Sequence, residues 1–178
     1  MIRTLEWVRI QDFTGTSRGG CSPFERAWLA KAFVARAALI ASSLGVDAVS
    51  LFVLGYAVLG PSFSPFWGLL CLFGLRQASQ AVVALPAPSG IIWRDPGFPS
   101  LFVTYAVGND FFFSGHTALA VYGAIQIASL GMPVLTVVAT LLAVLQMLVV
   151  IVLRAHWTLD VLTGLFAALL VGLAFWPG

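Results

Sequence analysis

The chain has 178 residues, of which 60% are hydrophobic and only 9% charged, with a net charge of +2. This composition argues against a soluble domain, which must offer water more polar surface than the chain contains, and the small net charge gives no footing for nucleic acid. Cys21 and Cys71, one in a polar terminus and one in an apolar run, suggest neither a disulfide framework nor a zinc site, so no metal and no cofactor is expected.

Residues 1–23 read as a polar tail containing Arg3, Arg9 and Arg18, with no apolar core of signal-peptide length. Residues 24–178 read as one membrane domain. The stretch 24–43 carries Lys31 and Arg36. It either crosses the bilayer while those cations snorkel, or lies in the interface with them on its polar face. Residues 44–60 are apolar and stop at the breaker run Pro61 to Pro65, and residues 66–85 follow with Arg76, Gln77 and Gln80 in their second half. Residues 86–112 form the only long connection, rich in Pro and Gly and bearing Trp93, Arg94 and Asp95; such a loop is usually functional or disordered. Three more apolar runs cover 113–131, 133–153 and 157–176, with a tight turn at Gly131 to Pro133. A span needs roughly 20 apolar residues. The expected fold is an all-α integral membrane protein, a bundle of six transmembrane helices, or five if residues 24–43 do not cross.

Both histidines fall in polar knots at the starts of apolar runs, GNDFFFSGHT at Gly108–Thr117 and RAHWTLD at Arg154–Asp160. One crossing out and one back separate them, so His116 and His156 are expected on one membrane face. Arg76, Asn109, Asp110, Ser114, Gly115 and Arg154 should share that face and contact substrate. Ionisable groups at membrane depth are costly and ordinarily face a polar cavity. His156 and Asp160 are four residues apart, which on a helix puts them within reach of each other. A carboxylate on one imidazole nitrogen fixes the tautomer and leaves the other nitrogen as nucleophile or base, with His116 as partner acid or base. Ser114-Gly115-His116 at a helix start offers backbone N–H groups and close approach to a phosphate.

SGHT, followed about 40 residues later by HWTLD, resembles the later motifs of the type 2 phosphatidic acid phosphatase superfamily, particularly its sphingomyelin-synthase-like branch. That branch has HYTxD in the later motif and an arginine followed by a LeuProxPro turn upstream, and this chain has Arg76 and then Leu85-Pro86-Ala87-Pro88. The resemblance implies transfer of a phosphocholine- or phosphoethanolamine-type headgroup from a phospholipid donor to a lipid hydroxyl acceptor through an enzyme-bound intermediate. Carried over, His156 would attack phosphorus, Asp160 would orient it, and His116 would protonate the departing alkoxide and later activate the acceptor; no metal is required.

Departures from the superfamily sharpen this expectation. The sole lysine is Lys31, and Val149 and Val150 stand where the phosphatases carry an arginine. A phosphate monoester carries nearly two charges and favours several cations, whereas a diester carries one, so the sparse cations favour a diester. Trp157 replaces the family's tyrosine. By the positive-inside rule the arginine-bearing N-terminus is cytoplasmic. Six crossings then set the site on the exoplasmic face, and five set it on the cytoplasmic face; six agrees with the resemblance. Two readings compete: a lipid phosphate phosphatase or phospholipase C-like hydrolase using the same histidines, and a non-enzymatic small transporter or structural membrane protein.

Overall fold

A computed structural model describes residues 23–85, 93, 95–103, 105 and 112–176, with side chains from Lys31 onward. The described residues form five α-helices: α1 Pro23–Leu59, α2 Ser64–Val82, α3 Gly115–Ala128, α4 Pro133–Val152 and α5 Thr158–Ala174. The chain divides into two units, Met1–Val34 and Ala35–Gly178. Of the first unit the described part is the N-terminal stretch of α1; the second holds everything that follows.

The expected bundle of six transmembrane helices is corrected to five helices among the described residues, because 24–43 and 44–60 are one helix of 37 residues. No proline interrupts the junction, and the Ser43 hydroxyl, free to compete with the backbone, instead donates to the Leu39 carbonyl at 2.9 Å. At 1.5 Å per residue α1 is about 55 Å long, well beyond the roughly 30 Å hydrocarbon core. Two stretches are long and apolar enough to cross a membrane, Lys31–Leu59 of α1 and Pro133–Val152, while Thr158–Ala174 is apolar but shorter. The six crossings that set the site on the exoplasmic face are therefore not what these helices provide.

Within the second unit α3 is the central element. Its small residues let neighbours approach from several sides, and Ala118, Ala120, Tyr122, Gly123, Ala124 and Ile127 are all buried. Three glycines mark contacts that a Cβ would fill: Gly123 against Val49 of α1, Gly68 of α2 against Tyr122, and Gly172 of α5 against Ile125. The Tyr122 hydroxyl donates to the Pro65 carbonyl at 2.9 Å, giving its polar end a partner. A second apolar cluster joins Leu39 and Val46 of α1, Trp93 and Val103 of the long connection, and Val150 of α4. It underlies the end of the bundle where the polar residues gather.

The long connection is held to α1 by polar contacts. The buried Asp47 carboxylate accepts from the backbone N–H groups of Leu101 at 2.9 Å and Phe102 at 3.0 Å, and from the Ser100 hydroxyl at 3.1 Å. Arg36 Nε donates to the Pro96 carbonyl at 3.0 Å, and the hydroxyls of Ser43 and Tyr105 are hydrogen-bonded. A buried carboxylate with three donors exchanges its lost hydration for charge-assisted hydrogen bonds.

Candidate active site

The turn between α4 and α5 delivers His156. Ala155 N–H donates to Val150 O at 2.8 Å and Arg154 N–H to Ile151 O at 3.0 Å, the paired bonds of a Schellman cap. Arg154 occupies the left-handed position, at φ 52°, where glycine is usual. His156 therefore follows immediately after the cap, and α5 begins two residues later. The Asp160 carboxylate reaches back one turn, its Oδ2 accepting from the Trp157 backbone N–H at 3.0 Å, and this cap fixes the carboxylate's direction. The same oxygen lies 3.8 Å from His156 Nδ1, ion-pair distance rather than hydrogen-bond contact. Oδ1 of Asp160 is buried without a hydrogen-bond partner among the described residues.

The start of α3 delivers His116. Phe113 is also left-handed, at φ 76°, and buried. That conformation costs a non-glycine residue about 1–2 kcal/mol and turns the chain into Ser114, the N-cap. The Ser114 hydroxyl accepts from Thr117 N–H at 3.4 Å and lies 3.1 Å from the Thr117 hydroxyl, so it is engaged in capping the helix. The two knots are joined directly by Ser114 N–H donating to the Asp160 carbonyl at 3.1 Å. Gly164 makes this contact possible, since a Cβ there would lie 2.5 Å from the Ser114 carbonyl oxygen.

These turns bring the imidazoles of His116 and His156 to a centroid separation of 5.9 Å, on the wall of one cavity of about 240 Å³. Arg76 of α2 and Gly115 line it too, with Phe73, Phe102 and Phe113 supplying aromatic surface. A Cβ on Gly115 would lie 3.2 Å from Arg76 Nε, so glycine here admits the guanidinium. His116 sits in the first turn of α3, outside the two candidate spans. Its ring reaches the cavity but lies deep, and its pKa is lowered to about 3, chiefly by burial and then by His156 and Arg76. Its Nδ1 has no hydrogen-bond partner among the described residues.

Of the residues expected from sequence, His116, His156, Arg76 and Gly115 converge on this cavity, with Asp160 beside His156. Ser114 is buried in its capping role and Arg154 is exposed on the turn. Asn109, Asp110 and Arg94 lie outside the described residues, while Asp95 is exposed and accepts from Gly97 N–H at 2.8 Å. Trp93 was not among the expected site residues. It is 4% exposed, and its ring meets His116 edge-on at 5.0 Å and Tyr105 at 5.1 Å. A tryptophan inside a Pro/Gly-rich loop was the available signal. No cluster of three or more His, Cys, Asp or Glu side chains that could hold a metal occurs among the described residues.

The sequence profile of the AtPDCT1/2 family, described as phosphatidylcholine:diacylglycerol cholinephosphotransferase-like, matches residues 32–174, which include all five of these converging residues. The chain belongs to the AtPDCT1/2 family. Membership corrects the resemblance drawn from SGHT and HWTLD: the chain is not assigned to the type 2 phosphatidic acid phosphatase superfamily, and sphingomyelin-synthase-like specificity has no support. Short motifs report a few positions, whereas the AtPDCT1/2 profile runs through all five helices. The family is one of lipid phosphotransferases, in keeping with headgroup transfer. No curated protein and no solved structure matches the chain.

Proposed function

We propose that this protein transfers phosphocholine from phosphatidylcholine to the hydroxyl of a diacylglycerol, through a phosphohistidine at His156. The observation that carries the reading is the facing pair His116 and His156 on one cavity, with Asp160 behind His156 and Arg76 alongside. In the first half-reaction Nε2 of His156 attacks phosphorus, the bond from phosphorus to the glycerol oxygen breaks, and His116 in its protonated form gives that oxygen a proton. Asp160 stabilises the positive charge that develops on the His156 ring. In the second, the hydroxyl of another diacylglycerol passes its proton to His116 as its oxygen attacks phosphorus, and the phosphorus–nitrogen bond breaks. The proton and the histidine are both restored.

The electrostatics support a singly charged diester. Among the described residues Arg76 is the cationic residue on the cavity wall, adequate for one negative charge, and the phenylalanine rings suit a quaternary ammonium. Burial keeps His116 neutral on its own, but a phosphodiester anion against the ring favours the imidazolium and raises its proton affinity. Donor binding thus charges the acid that the first step needs. General acid–base help of this kind contributes roughly two to four orders of magnitude in rate.

The distribution of charge supports an orientation in the membrane. The sequence preceding the first span carries Arg3, Arg9, Arg18 and Arg26, which the positive-inside rule assigns to the cytoplasm. A large part of the surface of α4 and α5 is apolar and exposed, including Val134, Leu141 and Leu170, which suits lipid contact.

The test uses purified protein in detergent with headgroup-labelled phosphatidylcholine and a diacylglycerol of distinguishable chain length. Label should appear in phosphatidylcholine bearing the acceptor's chains, and His156→Ala should abolish it. Release of free phosphocholine without acceptor would replace transfer by hydrolysis. Equal traces for wild type and His156→Ala would overturn the reading.

A further inference from the structure

Trp93 touches the catalytic pair without lining the cavity. It belongs to the buried apolar cluster with Leu39 and Val46 of α1 and Val150 of α4, so it reaches His116 from the packed interior. Its edge-on contact at 5.0 Å and 67° and the approach of His156 at 5.9 Å are the ring contacts of His116 among the described residues. No hydrogen bond secures the buried Nδ1 of His116 there. The terminal torsion of a histidine side chain is broad, and a hydrogen bond at the second nitrogen is the common means of fixing the ring. Here packing against neighbouring rings supplies that restraint. The restraint is itself braced: Trp93 packs on Tyr105 at 5.1 Å and 30°, the Tyr105 hydroxyl is hydrogen-bonded to Ser43, and Asp47 holds the N–H groups of Leu101 and Phe102 in the same connection. Among the described residues α1 contributes none to the cavity wall, yet through Trp93 it bears on His116.

We propose that Trp93 is a positioning residue for the reaction: its indole fixes the angle of the His116 ring and closes the inner side of that ring to water. The inference rests on the transfer reading, in which His116 gives a proton to the departing glycerol oxygen and takes one from the acceptor hydroxyl. Misplacing a catalytic group by about 1 Å slows reaction roughly 100-fold, so the angle of the ring counts as well as its presence. The charged and titratable groups around His116 are Arg76 of α2 and His156 of the turn before α5, with Asp160 of α5 beside His156. Those groups set the charge at the ring, whereas Trp93 supplies orientation and cover and carries no charge.

The test compares leaving groups. p-Nitrophenyl phosphocholine releases a phenolate that needs no proton, whereas phosphatidylcholine releases an alkoxide that does. Trp93→Leu, which keeps apolar bulk, should slow transfer from phosphatidylcholine to diacylglycerol about 100-fold with KM little changed. The first burst of nitrophenolate should stay near the wild-type rate, and its discharge to diacylglycerol should slow as transfer does. Trp93→Phe, which keeps a ring, should recover most of the loss, and Trp93→Leu should add nothing in a His116→Gln background. An equal fall with both donors, or a full further loss beside His116→Gln, would reduce Trp93 to core packing and overturn the proposal.

A second measurement needs no turnover. The chain has two histidines, so histidine-selective isotope labelling gives two ring signals in detergent, and His116→Gln assigns them. Burial is the chief reason that the pKa of His116 is lowered to about 3. Water admitted in Trp93→Leu should raise that midpoint toward 6.5, and Trp93→Phe should restore it. An unchanged midpoint in Trp93→Leu would overturn the proposal even with transfer intact. A raised midpoint in a protein whose activity His156→Ala leaves untouched would refute the transfer reading alone.

Discussion

α3 and α4 sit side by side and use opposite chemistry. α4 is apolar apart from Thr136, Thr140 and the inward-facing Gln146, carries exposed Val134, Val138, Leu141, Leu145 and Leu148, and is long enough to cross a bilayer. α3 has only 14 residues, begins with Gly115-His116-Thr117, contains the fully buried Gln126, and is surrounded on most sides by protein. In water the apolar helix would be the buried one. Here the more apolar helix forms outer surface and the helix with polar residues lies inside, as expected where lipid is the solvent and polar groups must find partners within the bundle.

The sharpest way to break this contrast is at the helix contacts of α3. Gly164→Val sets side-chain atoms against the Ser114 carbonyl oxygen, with Ala118 N only 3.5 Å from the new Cβ, so α5 must back away from α3. Overpacking of this kind is destabilising by about 1–3 kcal/mol, and a 1 Å displacement of catalytic groups slows reaction by roughly 100-fold. Thermal unfolding in detergent and the transfer rate should both fall; an unchanged rate would separate the α3–α5 contact from the chemistry.

Next in size is the clamp on the long connection. Asp47→Ala leaves the N–H groups of Leu101 and Phe102 and the Ser100 hydroxyl without their shared acceptor, where each hydrogen bond to a charged group is worth about 1.5–3 kcal/mol. Residues 95–103 should become more sensitive to proteolysis. Transfer should slow as well, because the same connection carries Trp93 onto His116. Asp47→Asn, which keeps one acceptor oxygen, should lie between wild type and alanine.

A smaller effect comes from pH. With the folded pKa of His116 lowered to about 3 against 6.5 for the free side chain, the unfolded chain takes up the proton first. Stability should therefore fall as pH drops from about 6.5 toward 3. His116→Gln should flatten that slope in melting temperatures taken across the range, and an equal slope in both proteins would argue against a neutral buried imidazole. The smallest effect is expected on the outer face of α4. Leu141→Ala, at a residue 63% exposed, should change stability by less than about 0.5 kcal/mol and leave transfer unchanged, whereas Ala143→Leu, on the buried side of the same helix, should destabilise measurably.

Much of the site was legible because its signals are local. Two histidines at the starts of apolar runs, a carboxylate four residues after one of them, and an arginine late in the run before the long loop predicted which groups converge. The helix count was not legible. Ser42, Ser43 and Gly45 look like a boundary, yet the Ser42 hydroxyl donates to Gln146 at 2.7 Å, that of Ser43 bonds back within α1, and Gly45 faces Leu142. Tertiary partners absorb what would otherwise end a helix. The resemblance to another superfamily failed for a related reason: a few catalytic-looking positions say less about descent than the full run of helices does.

The sequence by itself determined that the chain is helical and apolar, where its runs begin, and that most of its ionisable groups beyond residue 50 lie near their ends, since these follow from composition and spacing. Only the tertiary structure decided that α1 is continuous, that Asp47 holds the long connection, that Trp93 packs on His116, and that Gly164 lets the two histidine turns meet. Each of those depends on which side chain lies opposite which, at separations of tens of residues, and that is fixed by packing rather than by the order of residues along a strip of chain.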